Sequence, residues 1–539
     1  MAANESIRLR RILICSAMMT VMTIVYLCSK DTGQWFIQAE FPYLKDEYEY
    51  DVRRTLSLQA LDRLDTYMNY TDFEDFLSLV NITTSMVSIR NNKSDVRIGD
   101  DITIDIVLYN GRGLRATRGG DMLRVWLREH SLKASVSGYV IDHDNGSYTG
   151  VVKAMWAGNP ELMFSIGNTK EHVGIYMNMV HKYGLTTFLR AGFKKQNVTE
   201  SSLCSVVPNI PNVTDYCNFT AQNYNFSFFC GKPKKLGCED WAVYEHTSTH
   251  PWNAKQKILF LNYKYFKKSV GKLTILADSG AAGESNVSCH NVSSTITWQT
   301  TNPTGYLYNG NWRSLICKST LSWKYDSYAK CLEDRPVLIT GDSTTRNWYS
   351  PLTALLKLRV FVGRHEIKDK AWQKFAEAEN KKKSLSTFWS PHEIPFFSYE
   401  QDKRNFRTVA SRIDDLPGNK SAVVLLHWFG HMARTTPKHY RKHITSAKHA
   451  ILRLLKRSPR SSILIKGPHS FTYTNFLEPL DYIGRIYGQI LYEEFKDLQD
   501  KVYYIDQWDA TVGNENLDIH PHHSFDLVMT NFVFSFICK

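Results

Sequence analysis

The sequence predicts two unlike parts: a C-terminal α/β domain built on a doubly wound parallel sheet, and an all-β sandwich before it. Two patterns carry this prediction. From about residue 305, short and fully apolar runs alternate with amphipathic stretches. From about Thr83 to Val180, apolar and polar residues alternate between turn signals instead. The first pattern indicates a parallel sheet covered on both faces by helices. The second indicates a small antiparallel sandwich with little helix.

In chain order, residues 1–11 read as a cytoplasmic tail. Arg8, Arg10 and Arg11 precede an apolar run from Ile12 to Cys28, whose 17 residues suit a signal anchor or a signal peptide. The basic flank places the bulk of the chain in the lumen, with one membrane crossing at most; cleavage and secretion are the alternative. Residues 29–82 form a polar, aromatic stem.

The sandwich is expected over 83–180. Asp101–Leu108 alternates and then turns at Asn110-Gly111-Arg112-Gly113, and Asp144-Asn145-Gly146-Ser147-Tyr148 is a hairpin signal. Residues 181–304 are rich in cysteines and sequons. Eleven Asn-x-Ser/Thr sites follow the anchor, at Asn69, Asn81, Asn92, Asn145, Asn197, Asn212, Asn218, Asn225, Asn286, Asn291 and Asn419. Eight cysteines also follow it, an even number that reads as disulfides in an oxidising lumen. No CxxC pair is present, so no metal site is expected. A bridge from Cys538 to Cys317 or Cys331 would tie the terminus to the start of the last domain.

That domain is expected over 305–539. Its candidate strands are Val337–Thr340, Ala422–Leu426, Ser462–Lys466 and Val502–Ile505. Its candidate helices are Arg346–Leu358, Ile444–Arg457, Tyr482–Leu498 and Ser524–Phe536.

Bulk properties narrow the function. With 539 residues the chain needs more than one core, and 43% hydrophobic with 13% aromatic residues excludes a mostly disordered protein. The net charge is +13, yet no Lys/Arg block interleaves with aromatics, and Lys381-Lys382-Lys383 reads as a solvated loop. No nucleic-acid partner is expected. A basic surface suits an acidic glycan or the phosphates of an acyl-coenzyme donor.

The chemistry concentrates at Gly341-Asp342-Ser343-Thr344, directly after the apolar run Val337–Thr340. A serine at a strand-to-helix turn is exposed at the sheet's carboxyl edge, beside helix N–H groups that stabilise an oxyanion. His520, in Asp518-Ile519-His520-Pro521, precedes the last helix and is the candidate base. In this reading His520 takes the Ser343 proton as Oγ attacks an acyl carbonyl. The Ser343 and Gly430 N–H groups, the latter within His427-Trp428-Phe429-Gly430-His431, form the oxyanion hole. Arg346 and His431 are candidate substrate-binding residues, each with a structural alternative. Trp428 suits either a sugar ring or the core.

These motifs resemble the NXPE family, which joins a neurexophilin-like domain to a PC-esterase domain. The first half of the resemblance rests on Gly119-Gly120-Asp121, Gly138-Tyr139-Val140-Ile141-Asp142 and Asp144-Asn145-Gly146-Ser147-Tyr148. The second rests on Gly341–Arg346, Gly430-His431 and His520-Pro521. The resemblance covers most of the chain beyond the anchor. It implies an SGNH-hydrolase-like fold for the C-terminal domain and an immunoglobulin-like form for the sandwich. It also implies serine-dependent acyl-ester chemistry on glycans, possible O-acetylation of sialic acids and a Golgi membrane location. No bound cofactor is implied, with acetyl-CoA as the acyl-donor substrate. A glycan acceptor and, through the neurexophilin-like half, a cell-surface protein are the implied partners. A carbohydrate esterase of the same fold, or a binding protein with an inactive esterase domain, are the competing readings.

Two departures from that pattern stand out. SGNH enzymes commonly have an acid three residues before the histidine; here that residue is Leu517, and Asp518 is the candidate third member. Asp509 or a backbone carbonyl are the other candidates to orient His520. Gly430-His431 occupies the place of the usual block asparagine.

Overall fold

The computed structural model describes residues 55–67, 73–90, 96–245, 249–256, 267–277, 285–299, 301–362, 365–366, 375–392, 401–471, 478–515 and 520–539. The expected tail, anchor and first part of the stem, the sequons at Asn69 and Asn92, and Leu517 and Asp518 lie outside the described residues. Among the described residues, no helix is long and apolar enough to cross a membrane.

The N-terminal part has two antiparallel sheets around one core. The first orders Met86–Ile89, Asp101–Val107, Ser147–Lys153 and Tyr139–Asp142. The second orders Lys267–Lys272, Glu161–Asn168, Met122–Glu129, Ala134–Ser137, Gly305–Tyr308 and Asn311–Ser314. Ile102, Ile104 and Ile106 of the first sheet meet Leu123, Val125 and Leu127 of the second in a single cluster, as the two-residue repeat requires. The hairpin Gly305–Ser314, expected at the start of the α/β domain, pairs with the sandwich instead: Leu307 stands opposite Ser135. Lys267–Lys272 adds the other edge beside Glu161–Asn168.

A helix at Lys170–Tyr183 also departs from the expectation of little helix over 83–180. Its ends were written in the sequence. Thr169 caps it by accepting from the His172 N–H, and Gly184 ends it at φ 76°, in the left-handed region. The helix turns Val173, Tyr176 and Val180 into the C-terminal core, and Tyr176 Oη donates to the Ala433 and Thr435 carbonyls.

A third sheet carries the cysteine-rich segment: Cys204–Cys230 joins two neighbouring strands, and Cys217–Cys238 ties the edge strand to the 3-10 turn Cys238–Asp240. Cys289–Cys317 and Cys331–Cys538 complete the set, so all eight cysteines beyond the expected anchor are bridged. Four bridges mark a chain of the secretory pathway. Cys331–Cys538 spans a sequence separation of 207 residues. Cys538→Ser is expected to lower stability by about 5 kcal/mol on the loop-entropy argument, read as a lower urea midpoint.

The C-terminal sheet has five parallel strands in the order Leu385–Pro391, Val337–Gly341, Val423–Leu426, Ser462–Lys466, Val502–Ile505, extended at its first edge by antiparallel strands. Alternate residues go to opposite faces. Ile339, Leu425 and Leu464 pack with helices Ser343–Leu355 and His523–Phe534. Leu338, Val424 and Ile465 pack with helices Pro437–Arg457 and Leu480–Glu494. The strand order reverses direction between Val337–Gly341 and Val423–Leu426. Such a switch point opens a crevice at the carboxyl ends of the two strands.

Candidate active site

Both loops that leave the switch point carry the chemistry. After Gly341 the chain turns into the helix Ser343–Leu355, with Asp342 as its N-cap. Gly341 is required by close approach, because a Cβ there would lie 2.7 Å from Thr345 Cγ2 and 3.0 Å from His427 Cβ. Ser343 is the first helical residue, so its N–H has no intrahelical acceptor and points outward with the helix dipole. After Leu426 the second loop runs from His427 to a short 3-10 turn, Gly430–Arg434. A Cβ on Gly430 would come 3.2 Å from Asp342 Oδ2, which sets this turn against the serine turn.

His520 Nε2 lies 2.6 Å from Ser343 Oγ, although 177 residues separate them. Both side chains are half-buried. A hydroxyl in contact with an imidazole nitrogen can lose its proton as the oxygen attacks a carbonyl.

A buried polar network lies beneath the serine. Asp342 Oδ1 accepts from the Thr344 N–H at 2.9 Å and from Thr344 Oγ1 at 2.6 Å. Lys466, the last residue of its strand, donates to Thr344 Oγ1 at 2.5 Å. Burial alone would raise the Asp342 carboxyl, but His427 and Lys466 beside it hold it well below the usual carboxylate range. Burial lowers the Lys466 ammonium to about 8, partly countered by Asp342 and Asp526. His427 Nδ1 lies 2.9 Å from the Lys466 carbonyl, which can only accept, so that nitrogen carries the hydrogen. Lys466 carried no role in the sequence reading; a lysine at the end of the largely apolar run Ser462–Ile465 is the one signal that could have found it.

Asp526 ties the two site helices together. It stands in His523–Phe534 and accepts from Asn347 Nδ2 and Trp348 Nε1 of the serine helix, both at 3.2 Å. Burial pushes its carboxyl up to about 6. The unfolded value is about 3.9, so the folded state holds this proton more tightly and loses stability as pH rises from about 4 through about 6. Asp526→Asn cannot ionise. It is expected to exceed the wild type by about 2 kcal/mol at pH 7.5 and to match it below pH 4, measured by urea unfolding at both values.

The other candidate residues fall as follows. His431 is half-buried, stacked on His392 with ring centroids 5.2 Å apart, and lowered to about 4 by burial and by Arg434. It is therefore a neutral ring at physiological pH, close enough to feel Asp342, His520 and Arg346. The Arg346 guanidinium stands 5.8 Å from the Trp389 ring centre, and burial lowers its pKa. Asp509 Oδ2 accepts from the Thr304 N–H at 2.7 Å and from Thr304 Oγ1 at 2.9 Å, so this carboxylate anchors the chain that enters the Gly305–Ser314 hairpin. Trp428 is 1% exposed within the core and is not available to a sugar ring. Among the described residues, no group of three or more His, Cys, Asp or Glu is arranged to hold a metal ion.

Two family models match this chain. The model described as NXPE family member 4-like, C-terminal domain, matches residues 312–538, which hold Ser343, Gly430 and His520. The model described as Neurexophilin matches residues 81–250. The chain belongs to the NXPE family. The two matched regions join at the strand Met122–Glu129 and the helix Lys170–Tyr183, both of which pack against the C-terminal half of this NXPE protein.

Proposed function

We propose that this NXPE protein is a lumenal serine-dependent acyltransferase that O-acetylates glycans, sialic acids among them, through an acyl-serine intermediate. The observation that carries the reading is the 2.6 Å contact between Ser343 Oγ and His520 Nε2 at the sheet's switch point. An SGNH-type C-terminal domain and an immunoglobulin-like sandwich belong to the same reading, as does residence in the Golgi membrane.

Ser343 Oγ attacks the thioester carbonyl of acetyl-CoA while His520 takes its proton. The tetrahedral oxyanion is met by the N–H groups of Ser343 and Gly430. The intermediate expels the thiolate, which receives the proton from His520 and leaves as coenzyme A. A sugar hydroxyl then attacks the acetyl-serine, gives its proton to His520, and the serine oxygen recovers that proton as the acetyl ester departs. Arg346 and His431 border the site, where a cation and a neutral imidazole suit an acidic glycan. Asp518 is the proposed third member that orients His520.

The test uses purified protein, acetyl-CoA and a sialoside. Acetylated sialoside formed by the wild type and not by Ser343→Ala supports transfer. Acetate released at the same rate with or without acceptor makes the protein an esterase. Neither product from folded protein ends the enzyme reading and leaves the cell-surface binding role of the neurexophilin-like half.

A further inference from the structure

One strand of the neurexophilin-like part reaches into the catalytic half. In Met122–Glu129, Leu123, Val125 and Leu127 enter the sandwich core, and the alternate residues Arg124, Trp126 and Arg128 contact the C-terminal half. Arg124 pairs with Asp481 at 2.8 Å, and both side chains are buried. Trp126 Nε1 donates to Glu515 Oε1 at 2.8 Å. Arg128 Nη1 donates to Glu515 Oε1 at 2.8 Å and to Oε2 at 3.0 Å. Lys267, on the edge strand of the same sheet, donates to Glu515 Oε2. A single carboxylate thus takes up an indole, a guanidinium and an ammonium, all from the N-terminal part.

The backbone gives no reason for a glutamate at this position. Glu515 follows the helix Trp508–Gly513 with φ +49°, a left-handed conformation in which glycine or asparagine is usual after a helix. A side chain with a β-carbon is held there against its own preference, which the three partners over-determine. The helix before it is seated on the sandwich as well. Val512 packs with Trp126 and Met163, and a Cβ on Gly513 would come 3.0 Å from Ser135 Oγ. Five residues after Glu515 stands His520.

We propose that Glu515 is a positioning residue for His520: clamped by Trp126, Arg128 and Lys267, it fixes where the chain sets out toward the base, and so keeps Nε2 within reach of Ser343 Oγ. This rests on the reading of Ser343 and His520 as a catalytic pair. The neurexophilin-like half is then part of the active site, and the face bearing Arg124, Trp126 and Arg128 is already occupied within the chain.

The experiment labels the purified full-length protein with a fluorophosphonate, which reports the reactivity of Ser343 without any acceptor. The variants are Glu515→Gln, which keeps shape and loses charge, and Glu515→Gly, which relieves the backbone and removes the clamp. Both are expected to label at least tenfold more slowly at pH 7. Their rate is expected to rise in proportion to hydroxide, instead of following the titration of an engaged imidazole. Lys267→Met, which removes one of the three donors, is expected to give a smaller loss of the same kind. Unchanged rates in both Glu515 variants overturn the proposal. So does a lower rate with the wild-type pH profile, because that reports only less folded protein. Amide hydrogen exchange at His520–Asp526 reads positioning without catalysis: faster exchange in Glu515→Gly supports the proposal, and unchanged exchange overturns it. An unlabelled wild type ends the enzyme reading by itself, and the exchange result then decides the role of Glu515 alone.

Discussion

Ser343→Ala is expected to lower acyl transfer by about 10⁴-fold or more while leaving the fold intact. The hydroxyl is half-buried and rests against His520, so its removal opens no sizeable cavity. The oxyanion donors and the crevice remain, so binding of acceptor persists while the covalent step is lost. His520→Ala is expected to fall by a similar factor. The double variant is expected to be no worse than either single one, because the two groups act as a unit. Additive losses would show that the two side chains do not share a step.

Among substitutions at the site, Asp342→Ala is expected to cause the largest loss of stability, about 4 kcal/mol. Two effects combine. The helix Ser343–Leu355 loses its N-cap, since Asp342 Oδ1 accepts from the Thr344 N–H, and such a loss costs about 1 kcal/mol. Lys466, 3% exposed, also loses the carboxylate that most favours its charge, and removing one partner of a buried charge costs about 3 kcal/mol or more. The double variant Asp342→Ala with Lys466→Met is expected to recover most of the second cost, because the buried cation is gone. It is not expected to recover activity, because the serine turn remains uncapped. Urea midpoints of the single and double variants separate the two effects. A single variant within about 1 kcal/mol of the wild type would mean that water solvates Lys466 and that the network is not dry.

What the sequence revealed depends on how local each signal is. The strands Ser462–Lys466 and Val502–Ile505 have the expected bounds because a short apolar run between helices is a local pattern. The helix expected at Ile444 begins at Pro437 instead: Thr436 caps it and Pro437 occupies its first turn, but its first residues are Lys, His and Arg, which hid the apolar stripe. The serine helix starts at Ser343 and not at Arg346, since Asp342 supplies the cap. The Gly305–Ser314 hairpin could not be assigned to the sandwich from its own residues, because strand pairing over such a separation leaves no local mark.

The site divides in the same way. Ser343 and His520 were legible because each stands beside a recognisable turn, and the structure brings them together. Asp509 accepts from Thr304, and Trp428 serves the core. Lys466, Asp526 and Glu515 were missed. Their roles exist only through partners 122, 179 and 387 residues away, Thr344, Asn347 and Arg128. Glu515 had a faint signal in retrospect: Gly513-Asn514 reads as a helix end, and a glutamate follows where the backbone turns left-handed.

The most direct measurement is peptide mass spectrometry of the purified protein after brief incubation with an activated acetyl ester. The account predicts an acetyl group on Ser343 in the wild type, gained faster than hydrolysis removes it and absent from His520→Ala. A folded wild type whose Ser343 stays unmodified while the ester is consumed elsewhere would contradict it.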